Sequence, residues 1–424
     1  MRPTQQTITN GASILTIDDD RFKTSRITAA FLLPLKEETA SANAILPFLL
    51  RRSSVDYPSF AKLQHRLNEL YGANIAADVY RIGYYQAMVI TASSIDNRFA
   101  LEGEDITAQL AELMRSMIFT PLMENGAFQK SDTEQEKRCL AELIQSEINE
   151  KRLYARRRCE QVLCKGEGYA VNRYGSIDGV DALTPEGIAA AWENMLKRAQ
   201  IRIISQCAGG SGNIAAKFGE GINSVAGRAP VTLDSALNWQ PGEVRNVTER
   251  MDVNQAKLVM GFRVSKTAKP DIAAFRLMNA LLGGTPHSLL FKNVREKLSL
   301  CYYCASSYDR LGGVLLVDSG VEEKNAGLAQ EEILRQIDAI CRGDFTTEEF
   351  ESAKRSAINQ YQTVSDLQST LANWYIGQSL DSEIATPEEA AKDIAEVSPE
   401  RVIEAARSIK LGAVYMLAGE GDKK

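Results

Sequence analysis

The sequence predicts an α+β fold built as two copies of one domain, each a mainly antiparallel sheet with helices packed against it. Three observations carry this. The order of elements repeats across the 424 residues, the same helix-start signals recur at matching places, and a glycine-containing stretch of weak periodicity separates the copies.

The first copy opens with an alternating strand pattern, Ile27 to Leu35, followed by an apolar helix, Ala42 to Leu50. The second opens with Ala256 to Val264 and Ile272 to Leu282. A further helix then gives way to a pair of strands: Phe60 to Tyr71 before Ala73 to Ser93, and Leu289 to Leu298 before Cys301 to Val321. Next come long helices. Ser131 with Glu134 and Thr346 with Glu349 have capping-box spacing, and each helix runs through a Lys-Arg pair, Lys137-Arg138 and Lys354-Arg355. Thr184-Pro185-Glu186 and Ser398-Pro399-Glu400 each place a hydroxyl, a first-turn proline and an acid at the start of a short helix. Both helices lead to a β-run, Ile201 to Cys207 and Ala413 to Leu417. The expected domains are 1–212 and 249–424, with 213–248 as the linker.

With 44% hydrophobic and 25% charged residues, the chain is long enough for two cores of ordinary size. A polar N-terminus without an apolar run behind a basic start argues against secretion, and charges interrupt every stretch that could span a bilayer, so the expected location is cytoplasmic. A net charge of −6 with dispersed basic residues disfavours nucleic acid as a partner. Seven cysteines, an odd number at irregular spacing, do not form a secreted disulfide framework. Cys301-Tyr302-Tyr303-Cys304 has dithiol spacing, but in a regular strand an odd offset puts the two thiols on opposite faces, so a redox role is not expected.

Leu281-Leu282-Gly283-Gly284 followed by Val294-Arg295-Glu296-Lys297-Leu298-Ser299-Leu300-Cys301-Tyr302, set in a duplicated domain, resembles the insulinase/pitrilysin family of zinc peptidases over nearly the whole chain. The resemblance implies two α/β-sandwich domains of the mitochondrial-processing-peptidase type, arranged as a clamshell. Active members carry His-x-x-Glu-His on the first long helix, two imidazoles for zinc and a carboxylate to activate water. Here that motif falls on Ala44-Ile45-Leu46-Pro47-Phe48. Ala44, Pro47 and Phe48 supply neither metal ligand nor base. The family's third ligand falls near Glu142 or Leu143, and Glu136 matches a supporting acid. Independently of any alignment, the only histidines, His65 and His287, lie in different halves, so no metal is expected on this chain.

The resemblance further implies that Arg295 and Tyr302 bind substrate. A guanidinium holds a carbonyl or carboxylate through paired N–H groups, and a phenol donates to an oxygen gaining negative charge. Tyr303 and Tyr308 are weaker candidates. Short members of the family often pair a zinc-bearing subunit with one bearing the Arg/Tyr set. Leu70-Tyr71-Gly72-Ala73 and Glu124-Asn125-Gly126-Ala127-Phe128 are similar to a bacterial subgroup associated by name with translation-factor modification. The expectation is therefore a non-catalytic subunit that binds peptide or unfolded protein beside a zinc-bearing sister subunit. The alternative is a non-hydrolytic binding scaffold, homodimeric in one form. Arg152 to Arg158 reads as a solvated helical face with acid-base pairs, and Gly209 to Gly212 lacks the strand-turn-helix setting of a phosphate loop.

Overall fold

The computed structural model describes residues 2–209, 213–233, 242–264, 271–381 and 383–420, which form two compact units. Unit 1 comprises Met1–Gln145, Val171–Asp234 and Gln368–Ile384, and unit 2 comprises Ser146–Ala170, Ser235–Leu367 and Ala385–Lys424.

Unit 1 holds a six-stranded sheet of β1 (Thr4–Thr9), β2 (Ala12–Asp18), β3 (Thr24–Pro34), β4 (Asn74–Ile82), β5 (Tyr85–Ile95) and β6 (Gln200–Cys207). Their order across the sheet is β1-β2-β6-β3-β5-β4, antiparallel except where β2 meets β6. Unit 2 holds a five-stranded sheet of β7 (Arg245–Met251), β8 (Ala256–Val264), β9 (Cys301–Asp309), β10 (Val314–Val321) and β11 (Ile409–Gly419), ordered β9-β10-β8-β11-β7. Only β11 and β7 run parallel. Read outward from its central strand, each sheet has the same topology, and β1 is the one addition. The two strands before each repeat's central strand, β2 and β7, are absent from the sequence expectation. β7 falls largely within the stretch assigned as linker, as does the helix Ile214–Asn223 of unit 1.

The repeat extends to single hydrogen bonds. Lys137 Nζ donates to the carbonyls of Asp181 (3.0 Å) and Leu183 (2.9 Å), and Lys354 Nζ donates to those of Ala395 (3.1 Å) and Val397 (2.8 Å). In each unit the lysine of the Lys-Arg pair thus ties its long helix to the chain just before the later proline-opened helix, Pro185–Arg198 or Pro399–Ser408. Thr346 and Glu349 form a true capping box. Ser131 does not, because its helix already begins at Lys130, which places the hydroxyl inside the first turn. Thr184 caps through Gly187 N–H, whereas Ser398 makes no side-chain cap bond to the backbone.

The compact units depart from the sequence halves, because each half contributes a helix to the other's sheet. The central strands explain this. On β3, Ile27, Ala29, Phe31 and Leu33 join the core beneath the helices Glu37–Leu50 and Ile106–Phe119, while Ala30 and Leu32 on the opposite face are equally buried. A sheet buried on both faces needs two layers of helix. The helix Gln368–Gln378, from the second half, packs against β3 and β6 and buries Leu371, Ala372, Tyr375 and Ile376. Gln368 Nε2 donates to Thr24 O at 2.8 Å, and Thr24 donates back to Gln368 Oε1 at 2.9 Å.

Reciprocally, the helix Lys151–Leu163 packs on β8 and β11 of unit 2. Gly261 admits it: a Cβ there would lie 3.0 Å from a Leu163 methyl and 3.2 Å from Cys159 Sγ. Arg152 to Arg158 is therefore not a simple solvated face. Arg152 and Arg156 both ion-pair with Asp318, whose side chain is 1% exposed, and Arg156 Nη2 also donates to Ser307. Tyr154 and Arg158 donate to Glu249, at 2.7 and 3.1 Å. Farther along, Glu167 pairs with the buried Arg263 of β8, and Tyr169 donates to Asp309. The positions are charged because the strands they cover carry charged partners, the buried Asp318 and the partly buried Glu249.

Candidate functional site

In unit 1 the positions matched to the zinc motif lie on the helix Glu37–Leu50. Ala44 is fully buried in the core, Pro47 sits inside the helix, and Phe48 is half-buried beside the Arg51 guanidinium. Proline at this point removes one backbone donor, a local cost that burial of Ile45, Leu46, Leu49 and Leu50 offsets. Glu136 is buried and engaged: Arg52 Nη1 donates to it at 2.7 Å while its other nitrogen approaches Asp132 at 3.1 Å. Glu142 and Leu143 are exposed. With alanine, proline and phenylalanine at the motif positions and the nearby acid held by a guanidinium, this donor set does not fit zinc. Among the described residues there is also no group of three or more His, Cys, Asp or Glu side chains placed to hold a metal ion. His65 pairs with Glu69 in solvent, and His287 is exposed.

Unit 2 brings Arg295 and Tyr302 together on one pocket. Its volume is about 430 Å³, and Glu296, Ser299, Cys301 and Glu322 also line it. Arg295 projects from a wide helical turn, Phe291–Lys297, where its guanidinium lies 4.7 Å from the Phe291 ring centre and 3.6 Å from Glu296. The aromatic shelf orients the cation without removing it from water. The turn ends at Ser299, in the left-handed region (φ 51°), with Ser299 and Leu300 N–H groups closing onto Arg295 O and Val294 O. This sharp reversal launches β9 directly from the pocket floor.

Tyr302 owes its position to a β-bulge. Cys301 pairs with Val321 and Tyr303 with Gly320, leaving Tyr302 as the extra residue, 65% exposed at the pocket edge. The bulge also overturns the expectation for the cysteines. Cys301 and Cys304 lie opposite Val321 and Ser319, two residues apart on β10, so both thiols share one face and both are buried. Tyr303 points to the other face, where Arg152 stacks on its ring at 4.3 Å. Burial pushes the Tyr303 phenol well above its ordinary range, with the negative charge of Asp318 adding to the shift. Tyr308 is partly buried and stacked on Phe275, which gives it a packing role. Cys301 and Glu322, like Glu296 and Ser299, are pocket residues that sequence reasoning missed as site members. The bulge that brings the first to the wall leaves no composition signal.

Residues 217–357, which include Arg295 and Tyr302, match the family model described as the Peptidase M16 inactive domain; M16 is the insulinase/pitrilysin family. The whole chain is 29% identical over 405 residues, 95% of each sequence, to the probable inactive metalloprotease YmfF of Bacillus subtilis. The chain is similar to inactive M16-family peptidases. Among solved structures, the chain superposes on a conserved protein from Enterococcus faecalis with a TM-score of 0.89 at 25% identity, covering 100% of both chains. A peptidase M16 inactive domain from Pseudomonas fluorescens gives 0.77 at 14% identity, again over 100% of both chains. A protease from Helicobacter pylori gives 0.77 at 12% identity, over 98% of this chain and 99% of that one. The last two likenesses concern the fold alone. No helix among the described residues is long and apolar enough to cross a membrane.

Proposed function

We propose that this protein is an M16-type substrate-binding subunit that works beside a zinc-bearing sister chain and does not hydrolyse peptides by itself. The observation that supports this most is the shared pocket of Arg295 and Tyr302, kept in a chain whose zinc-motif positions are Ala44, Pro47 and Phe48. The bound molecule is a peptide or an unfolded protein segment. Arg295 grips a carbonyl or terminal carboxylate through two N–H donors, and the Tyr302 hydroxyl donates to an oxygen that gains charge. Both contacts strengthen as a planar carbonyl becomes tetrahedral, so they favour the transition state over the ground state.

The test is reconstitution with a family member that carries His-x-x-Glu-His. Native mass spectrometry of the protein purified gently from its own cells identifies the partner and the stoichiometry. Arg295→Ala or Tyr302→Phe in the assembled pair lowers peptide turnover by on the order of a hundredfold, the usual cost of one oxyanion donor. Unchanged turnover in both variants removes the chemical basis of the proposal. Recovery only as a homodimer, with peptide binding and no turnover, favours a scaffold.

A further inference from the structure

The bulge at Tyr302 creates a second chemical feature on the pocket wall. In a regular strand Cys301 and Cys304 would be divided between two faces, but the extra residue resets the count so that they stand opposite Val321 and Ser319. Two strand residues rise about 6.8 Å, the upper end of the roughly 4.4 to 6.8 Å Cα separation that a disulfide spans. Both cysteines are free thiols. Cys301, 9% exposed, lines the pocket beside Arg295, whereas Cys304, 5% exposed, is not part of its lining.

The geometry points to a thiol-disulfide exchange site, with Cys301 as the attacking thiol, Cys304 as the resolving thiol, and a small disulfide bearing a carboxylate as the reactant. The environment divides the two sulfurs in the same sense. A hydrogen bond from Cys304 lowers the Cys301 thiol, with Ser319 and the Arg295 charge acting in the same direction against burial. That same bond, then burial, raises Cys304. The thiolate is the attacking species, so the sulfur facing the pocket is the reactive one. Arg295 is placed to hold the reactant's carboxylate.

The exchange proceeds in two balanced steps. The Cys301 thiolate attacks one sulfur of the small disulfide, forming a mixed disulfide and expelling one small thiolate, which takes up a proton. Cys304 then loses its proton and attacks Cys301 Sγ, forming the Cys301–Cys304 bond and expelling the second small thiol. The protein dithiol is oxidised by two electrons and the small disulfide is reduced to two thiols. This site is independent of any peptidase partner.

The experiment is incubation of the full chain with glutathione disulfide at neutral pH, followed by intact mass and tryptic mapping. The fragment from Leu298 to Arg310 contains both cysteines. Wild type is expected to lose two hydrogens within that fragment, without a lasting adduct. Cys304→Ser is expected to trap the glutathione adduct on Cys301, and Cys301→Ser to leave Cys304 unmodified. A wild-type fragment that stays reduced while the exposed Cys139 collects adduct overturns the inference, and so does adduct on Cys304 in Cys301→Ser. The wild-type result stands without the variants, so a folding defect in either does not protect the idea.

Discussion

Arg156 Nη1 lies 2.6 Å from Asp318 Oδ1, with Arg152 on the other carboxylate oxygen, and together they fasten the helix Lys151–Leu163 onto the sheet of unit 2. Asp318→Ala is expected to destabilise the protein by about 1 to 3 kcal/mol. The lower part of that range reflects two guanidiniums that are 42% and 25% exposed and so able to recover water. Denaturant unfolding measures the loss, and hydrogen exchange should show it concentrated in residues 151–163.

Gly320 lies under the ring of Tyr303, so a Cβ there would fall 2.5 Å from a ring carbon. Gly320→Val must displace the ring from its place beneath Arg152. A cost of roughly 1 to 3 kcal/mol is expected, as for other overpacked sites, read as a lower denaturation midpoint with an unchanged slope.

Glu249 fixes the pH response of the same helix. Burial raises its carboxyl, but hydrogen bonds from Tyr154, Tyr415 and Arg158 outweigh that and hold it below the ordinary glutamate value. A depressed folded pKa gives stability that is complete above the unfolded value and lost as pH falls through the folded one. Tyr154 has the opposite sign: burial, then Glu249, pushes its phenol from 10.0 up to about 12, so its contribution fades as pH rises through that interval. Protection of residues 151–163 against proteolysis should therefore be flat between these limits and fall at both ends. In Glu249→Gln the acid limb should flatten.

Tyr302 is largely exposed and Arg295 is 43% exposed, so substitution at either should leave the fold intact. Tyr302→Phe and Arg295→Ala are expected to change stability by no more than about 0.5 kcal/mol. Thermal unfolding checks this, and it licenses reading any loss of binding or turnover in these variants as function.

Tyr375 is fully buried in unit 1, although it belongs to the second half of the sequence. Tyr375→Ala is expected to cost about 3 to 5 kcal/mol, as for other large buried aromatics. Hydrogen exchange should register the loss in β3 and β6, which that helix covers.

Much of the fold was legible because the signals were local. Ile27 to Leu35 and Ala256 to Val264 alternate or run apolar, Thr346 and Glu349 cap, and Pro185 and Pro399 open helices. β1 was hidden by its polar edge-strand composition, Thr-Gln-Gln-Thr-Ile-Thr, and β7, Arg-Asn-Val-Thr-Glu-Arg-Met, by lying at the end of a glycine-containing stretch of weak periodicity that read as linker. Which sheet a helix covers is a tertiary fact: an apolar stripe says that a face is buried and not against what. The arginines of Lys151–Leu163 looked solvated because their acids, Asp318 and Glu249, lie far along the chain. At the site, Arg295 and Tyr302 were legible by resemblance, whereas the shared face of Cys301 and Cys304 depends on one inserted residue in a strand register, which a single sequence does not display.

The helix exchange also sets a timetable for biosynthesis. All six strands of unit 1 have left the ribosome's catalytic centre once Cys207 is joined, but the helix that covers their second face ends at Gln378, about 170 residues later. At roughly 5 to 20 residues per second that is an interval of about 10 to 30 s. Throughout it, the nascent sheet carries the apolar face of Ala30 and Leu32 without its final cover, and the newborn chain passes through that window each time it is made.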